Sequence, residues 1–261
     1  MLGFDKNDLS TISNFLRATV RDKYLGTSLG SIWGIAQPLL MFVTFTFVFG
    51  FVFKARLPGA ETTLSYAIWL ICGYGPWLSI SESTMAAANS VVSSAGIVKN
   101  LAIKTEVLPV VGVLSGMLPL LVSLLFVMPL LVFDGNGLTW HAALVIPIAL
   151  LQIFFLVGIG FLLAAVTVFL RDFAFALPNL LMVVLFASPI FYPIESMPRI
   201  AQWLSQFNPF FVICDSYRDV LVYHRVPNLL GLAFVIVVSI VMTTATLTIF
   251  RRIKGYFEAA L

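Results

Sequence analysis

Charged side chains divide this chain into long uncharged stretches. After Lys23 no Asp, Glu, Lys or Arg occurs until Lys54, and further uncharged runs cover 62–81, 107–133, 135–170, 173–194 and 226–250. A charge near a bilayer centre costs about 2.5 to 3.5 kcal/mol, and about 20 apolar residues cross the hydrocarbon core. The pattern therefore predicts six spans, at 31–53, 63–88, 107–133, 142–170, 173–193 and 227–250. Pro147 and Gly158 in the fourth are tolerable, because neighbouring helices can satisfy freed backbone groups. Composition agrees: 60% hydrophobic and 10% charged residues, with mean hydropathy +1.03, leave no room for an ordinary soluble domain. The expected fold class is an all-α integral membrane protein, folded as a single transmembrane domain over 1–261.

The segments between the spans carry their own pattern. Leu9, Ile12, Leu16, Val20 and Tyr24 share one helical face, with Asn7 or Asp8 as possible caps, so 1–28 reads as an amphipathic helix lying in the membrane interface. Its density of charge and lack of an apolar core argue against a cleavable signal peptide. Residues 195–225 are too apolar for a solvated loop. Ile200, Trp203, Leu204 and Phe207 recur at helical spacing, and Asn208-Pro209 then supplies a cap and a first-turn proline. A helix from Pro209 to Tyr223 would fall short of the bilayer thickness, so the region is expected to be a re-entrant outer hairpin between the fifth and sixth spans, with Asp215, Arg218 and Asp219 facing water or each other. An even number of spans places both ends on one side. Lys6, Arg17, Arg21, Lys23, Lys99, Lys104, Arg171, Arg251, Arg252 and Lys254 fall on that side, against Lys54, Arg56, Arg199, Arg218 and Arg225 on the other. The positive-inside rule makes the richer side cytoplasmic. With a net charge of only +3, this bias reads as membrane topology and not as a nucleic-acid surface.

Absences narrow the function. No lysine follows a glycine, so a Gly-Lys-Ser or Gly-Lys-Thr phosphate loop is missing and the chain has no nucleotide site of its own. No ionisable residue falls at a span centre, where a proton-coupled carrier would often use one. Glu82, at the inner boundary, reads as an interfacial carboxylate or as a partner for Lys99 or Lys104, with gating as the alternative. Two cysteines, Cys72 and Cys214, and two histidines, His141 and His224, form neither a disulfide framework nor a metal cluster. Each histidine reads as an interfacial side chain, although the pair could meet in space. A membrane-embedded transferase and a proton-coupled secondary transporter remain as alternatives from other classes.

Motifs in series point to a family. Arg21-Asp22-Lys23-Tyr24-Leu25-Gly26-Thr27-Ser28-Leu29-Gly30-Ser31-Ile32-Trp33, followed by Gln37-Pro38-Leu39, resembles the start of a type 2 ABC exporter permease. Cys72-Gly73, Pro76-Trp77, Glu106 with Pro109, Leu170-Arg171-Asp172, Ser188-Pro189-Ile190-Phe191-Tyr192-Pro193, Asn208-Pro209-Phe210 and Tyr217-Arg218 follow in that family's order. The resemblance is to the polysaccharide branch, the permeases for lipid-linked O antigen, teichoic acid and capsule. Where that branch commonly has Phe-Pro before the third span, this chain has Ile103-Lys104.

The resemblance implies a homodimer in the bacterial inner (plasma) membrane, joined to two ABC ATPase subunits that hold ATP and Mg, and exporting a lipid-linked polysaccharide, foremost O antigen. A small-molecule or drug exporter of the same class is the nearest alternative. On this reading Gly96, Ile97, Val98, Lys99 and Asn100, with Gly96 at the turn, form a coupling element toward the ATPase, and Arg171 with Asp172 makes a paired turn beside it. Arg17, Arg21, Lys23 and Tyr24 meet the lipid phosphates at substrate entry, among the headgroups of the surrounding membrane lipids. Phe42, Phe45 and Phe49 form the row expected to face a polymer channel, leaving Phe47 and Phe51 for lipid or neighbouring helices. Trp203, Phe207, Asn208, Pro209 and Phe210 are expected to gate its outer mouth.

Overall fold

A computed structural model describes residues 6–24, 30–52, 62–100, 104–135 and 137–261. Within these residues the regular structure is helical. The first helix, α1 (Lys6–Tyr24), is amphipathic as expected. Its apolar face is used by the protein itself: Ile12, Phe15 and Leu16 pack on Val107, Val110 and Val111, while Leu9 stays exposed. Asp8 lies in the first turn of α1 and pairs with Lys104 at 2.6 Å.

The first predicted span becomes α2 (Trp33–Phe45) continued by a π-helical stretch, Thr46–Val52. The second is α3 (Thr63–Ser93), opened by Thr62, whose hydroxyl accepts from Ser65 N at 3.1 Å. It runs five residues beyond the expected boundary at 88, and then the short α4 (Ala95–Asn100) follows a turn at Ser94. The turn therefore lies at Ser94 and not at Gly96: Ser94 O accepts from Ile97 N and Val98 N at 2.9 and 3.0 Å.

The expected third span is two helices, α5 (Val107–Ser115) and α6 (Leu118–Phe133). Pro119 has no N–H to offer the Ser115 carbonyl, which interrupts the ladder. Gly116 at the break lies so close to α3 that a Cβ would overlap the Ser83 backbone. Next come α7 (Val145–Phe169) and α8 (Asp172–Ala187). Residues 195–225 contain two short helices, α9 (Arg199–Ser205) and α10 (Pro209–Leu221), before α11 (Leu229–Ile253) and the terminal α12 (Phe257–Ala260).

Helix α3 forms the axis, packed against α5, α6, α7 and α10. Among the described residues, four segments are long and apolar enough to cross a membrane: Trp33–Val52, Val107–Phe133, Trp140–Phe169 and Leu229–Tyr256. α8 falls short of them in length, and α3 in hydropathy. The second case has a simple cause. A helix enclosed by other helices meets no lipid, so it can carry Ser, Gly and Cys where close packing needs them. Ser79, Ser83, Cys72, Gly73 and Gly75 are all buried there.

Two polar networks pin this axis. Arg218 of α10 is 1% exposed. Its guanidinium lies 3.6 Å from the Trp69 ring centroid and donates to the carbonyls of Trp69 and Pro189 at 3.3 Å and to that of Ile190. It also lies 3.7 Å from Asp215. Of the two expectations for Arg218, facing water or facing its neighbouring carboxylates, the second fits, through Asp215; the guanidinium points into the bundle, where carbonyls left at the broken end of α8 supply further acceptors. Gly73 makes room for it, since any Cβ there would overlap the guanidinium. Gln152, fully buried in α7, donates to Ser79 Oγ at 3.2 Å and to Pro76 O at 3.4 Å, and accepts from the Tyr217 hydroxyl at 2.9 Å.

Gly116→Ala should lower unfolding stability by about 1–3 kcal/mol, because rigid backbone must yield to the new methyl. Gly96→Ala, with open space around its Cβ, should leave stability unchanged or raise it by up to about 1 kcal/mol. Thermal unfolding of the purified protein in detergent compares the two.

Candidate functional site

The residues with functional chemistry gather at three places. The first is a cleft of about 230 Å³ between α2, α3 and α6. Gly34, Gln37 and Pro38 line it from α2, Tyr74, Ser81 and Glu82 from α3, and Pro119 from α6. Lys23, in the last turn of α1, forms an ion pair with Glu82 at this cleft. Glu82 therefore pairs with Lys23, while Lys104 pairs with Asp8 and the side chain of Lys99 lies outside the described residues. The Lys23 and Glu82 side chains are about a third exposed, at 34% and 29%. An ion pair so placed contributes at most about 1 kcal/mol and can be exchanged. Of the four residues expected at substrate entry, Lys23 reaches the cleft, Arg17 and Arg21 are exposed, and the side chain of Tyr24 lies outside the described residues.

The two rows of Phe separate as helical geometry requires. Phe42 is 2% exposed and meets Tyr74 edge-on at 6.2 Å. Phe45 contacts Tyr74 at 4.9 Å and Phe191 at 4.6 Å, and Phe49 stacks on Phe191 at 5.3 Å. Phe47 and Phe51 stack on each other at 5.8 Å and are exposed. Within one chain, then, the row expected to face a channel is the packed one, and the row left for lipid is the open one. The presence of two rows is a property of the sequence; their direction depends on Phe191, distant along the chain.

Further along α3, the 195–225 segment divides its aromatic residues. Asn208 caps α10 by accepting from Phe210 N at 3.0 Å and Phe211 N at 3.4 Å, and its amide donates to Ser188 Oγ at 2.8 Å. With Pro209 at the first helical position, this turns Phe210 inward against Trp77 and Phe155, at 5.9 and 5.4 Å. Trp203 and Phe207 remain exposed, packed edge-on at 5.0 Å. His141 and His224 do meet: each Nδ1 lies 3.2 Å from Thr139 Oγ1. Asp219 pairs with Arg225 at 2.6 Å beside them in the chain.

The third place is the end bearing α4. Ile97 and Val98 are half-buried, Gly96 is exposed, and the side chains of Lys99 and Asn100 lie outside the described residues. No ion pair joins Arg171 to Asp172 among the described residues. Arg171 donates instead to the carbonyls of Ala260 and Leu261 at 3.3 and 3.2 Å, while Asp172 stands in the first turn of α8, where a carboxylate suits the helix dipole. Glu106, just before α5, accepts from Lys254 Nζ at 2.9 Å and Arg251 Nε at 3.3 Å. Burial raises its pKa, but the Lys254 hydrogen bond, its own backbone amide and the two cations outweigh this and hold the carboxyl below its ordinary value.

The buried Arg218 and Gln152 networks escaped the sequence reading because their partners are separated by long stretches of chain. A polar Gln within an otherwise apolar α7, and a Gly facing nothing obvious at position 73, were the available signals. No group of three His, Cys, Asp or Glu side chains able to hold a metal occurs among the described residues. The chemistry on offer is ion pairing, aromatic stacking and apolar enclosure, which suits binding and passage of an amphiphile.

A family profile described as ABC-2 type transporter matches residues 12–222. Among similar proteins is an O-antigen export system permease protein RfbA of Myxococcus xanthus, 24% identical over 250 residues, covering 95% of this chain and 94% of the relative. Two proteins of the same name from Klebsiella pneumoniae are 25% and 26% identical over 241 residues, covering 92% of this chain and 90% of each relative.

Because the Glu106 pKa is depressed on folding, its stabilising contribution is full above the ordinary carboxylate pKa of about 4.5 and is lost as pH falls through the folded value. Glu106→Gln should therefore cost about 1–3 kcal/mol at pH 7. The gap to the unmodified protein should narrow as pH falls below about 4.5 in thermal unfolding curves.

Proposed function

The chain belongs to the ABC-2 type transporter family, and on that premise we propose that it is the membrane subunit of an ATP-driven exporter of lipid-linked polysaccharide, with O antigen as the cargo. The observation that carries this reading is a likeness running along nearly the whole chain to proteins named for O-antigen export. The working unit is a homodimer with two separate ABC ATPase subunits, which supply ATP binding and hydrolysis. It sits in the inner membrane with six spans and both termini in the cytoplasm, as the distribution of basic residues supports.

In this mechanism the cleft beside α1 receives the lipid-linked substrate. Its phosphates compete with Glu82 for Lys23, with Arg17, Arg21 and Tyr24 adding charge and an aromatic ring at headgroup level. A weak surface ion pair suits this task, because a dianionic ligand replaces Glu82 at little cost. Phe42, Phe45 and Phe49 line the path of the sugar rings once α2 parts from Phe191, offering ring faces to sugar C–H groups. Trp203, Phe207, Asn208, Pro209 and Phe210 form the outer gate, with the re-entrant hairpin swinging on the capped start of α10. Displacement from the ATPases enters through Gly96, Ile97, Val98, Lys99 and Asn100 of α4 and through Arg171 and Asp172.

Deleting the gene should abolish surface O antigen and leave lipid-linked glycan inside the cell, as read by immunoblot and by mass analysis of extracted lipid; undiminished surface glycan would refute the function. Glu82→Lys, which repels Lys23 and adds a second anion-binding charge, should alter capture of lipid-linked glycan by the purified permease at least several-fold.

A further inference from the structure

The last residues of the chain are tied to both turns that the proposed function assigns to the ATPase. Lys254 and Arg251 converge on Glu106 Oε1 at 2.9 and 3.3 Å, and Glu106 leads from the α4 region into α5. Phe257 is fully buried, edge-on to Phe250 at 5.1 Å and to Phe169 at 5.9 Å, and Phe169 is the last residue of α7. α12 packs against α4 and α7. Beyond it, the carbonyls of Ala260 and Leu261 accept from Arg171, in the turn between α7 and α8. One short segment thus touches α4, the approach to α5, the end of α7 and the turn into α8.

Helix α4 has six residues, too few to hold a helical conformation unaided. Its orientation must come from what it packs against. A loose α4 would absorb a partner's push as local bending and transmit little of it to α3 and α5. We propose that residues 254–261 are a brace that fixes α4 and the Arg171 turn as one rigid ATPase-contacting surface, so that a single displacement reaches α3, α5, α7 and α8 together. Lys254 and Phe257 are then positioning residues that act through α4 and Arg171. This rests on the assignment of α4 as the ATPase contact.

The test uses the full permease with its ATPase, reconstituted in lipid vesicles, and reads glycan exported per ATP hydrolysed. Lys254→Glu, which sets a carboxylate against Glu106, and Phe257→Ala should each retain the ATPase on copurification yet lower that ratio several-fold; Lys254→Arg and Phe257→Leu should keep it within twofold of the unmodified protein. If Phe257→Ala fails to fold, Lys254→Glu decides alone, its fold checked by size exclusion and thermal unfolding. An unchanged ratio in the folded variants overturns the brace. Ile97→Asp separates this from the underlying reading: loss of the ATPase with Ile97→Asp but normal coupling in the tail variants removes the brace alone, whereas normal binding and coupling with Ile97→Asp removes both.

Discussion

A guanidinium taken out of water must find a donor-for-acceptor match for its N–H groups, or the chain does not fold around it. Arg218 meets that demand with three carbonyls, the face of Trp69 and the carboxylate of Asp215. Desolvating the charge costs several kcal/mol, so each acceptor is structurally necessary. The end of α8 must stay open for Pro189 and Ile190 to present their oxygens. Position 73 must lack a side chain. Asn208 must start α10 where Arg218 arrives at α3 in register, and its hydrogen bond to Ser188 joins those two requirements. α3, α8 and α10 are thereby fixed relative to one another by a single charge.

The parts of this architecture legible in the sequence are those governed by local rules. Uncharged runs located the helices, and Asn208-Pro209 located a helix start, because desolvation and capping act on neighbouring residues. The interruption at Gly116 and Met117 lay hidden inside one apolar run. Its cause is a proline lacking an N–H and a contact with Ser83 on another helix. The rows of Phe were visible as rows, but only the position of Phe191 sets which one is enclosed. Helix α3 shows the limit of hydropathy most clearly: the most central helix is less apolar than several that surround it, because it answers to helix packing and not to lipid.

The candidate site follows the same division. Lys23 and Glu82 were each recognisable as boundary charges, yet 59 positions separate them and nothing local joins them. Arg171 was placed correctly in a tight turn, while its acceptors lie 89 and 90 positions away. The part-exposed Lys23–Glu82 pair is exchangeable, whereas the buried guanidinium of Arg218 is held by several partners at once. The former can respond to a ligand; the latter preserves the frame against which the response is made.

The single hydroxyl between the two histidines imposes an order on their protons. Thr139 has one hydrogen to donate, so it cannot supply both Nδ1 atoms. At least one imidazole must carry its own hydrogen there. His224 is the economical choice, since among the described residues its buried Nε2 meets no partner and a bare lone pair is cheaper to bury than an unpaired N–H. His224 then donates to Thr139, and Thr139 donates to His141. The loop before α7 and the loop before α11 are thereby joined by a chain of two hydrogen bonds through one shared hydroxyl.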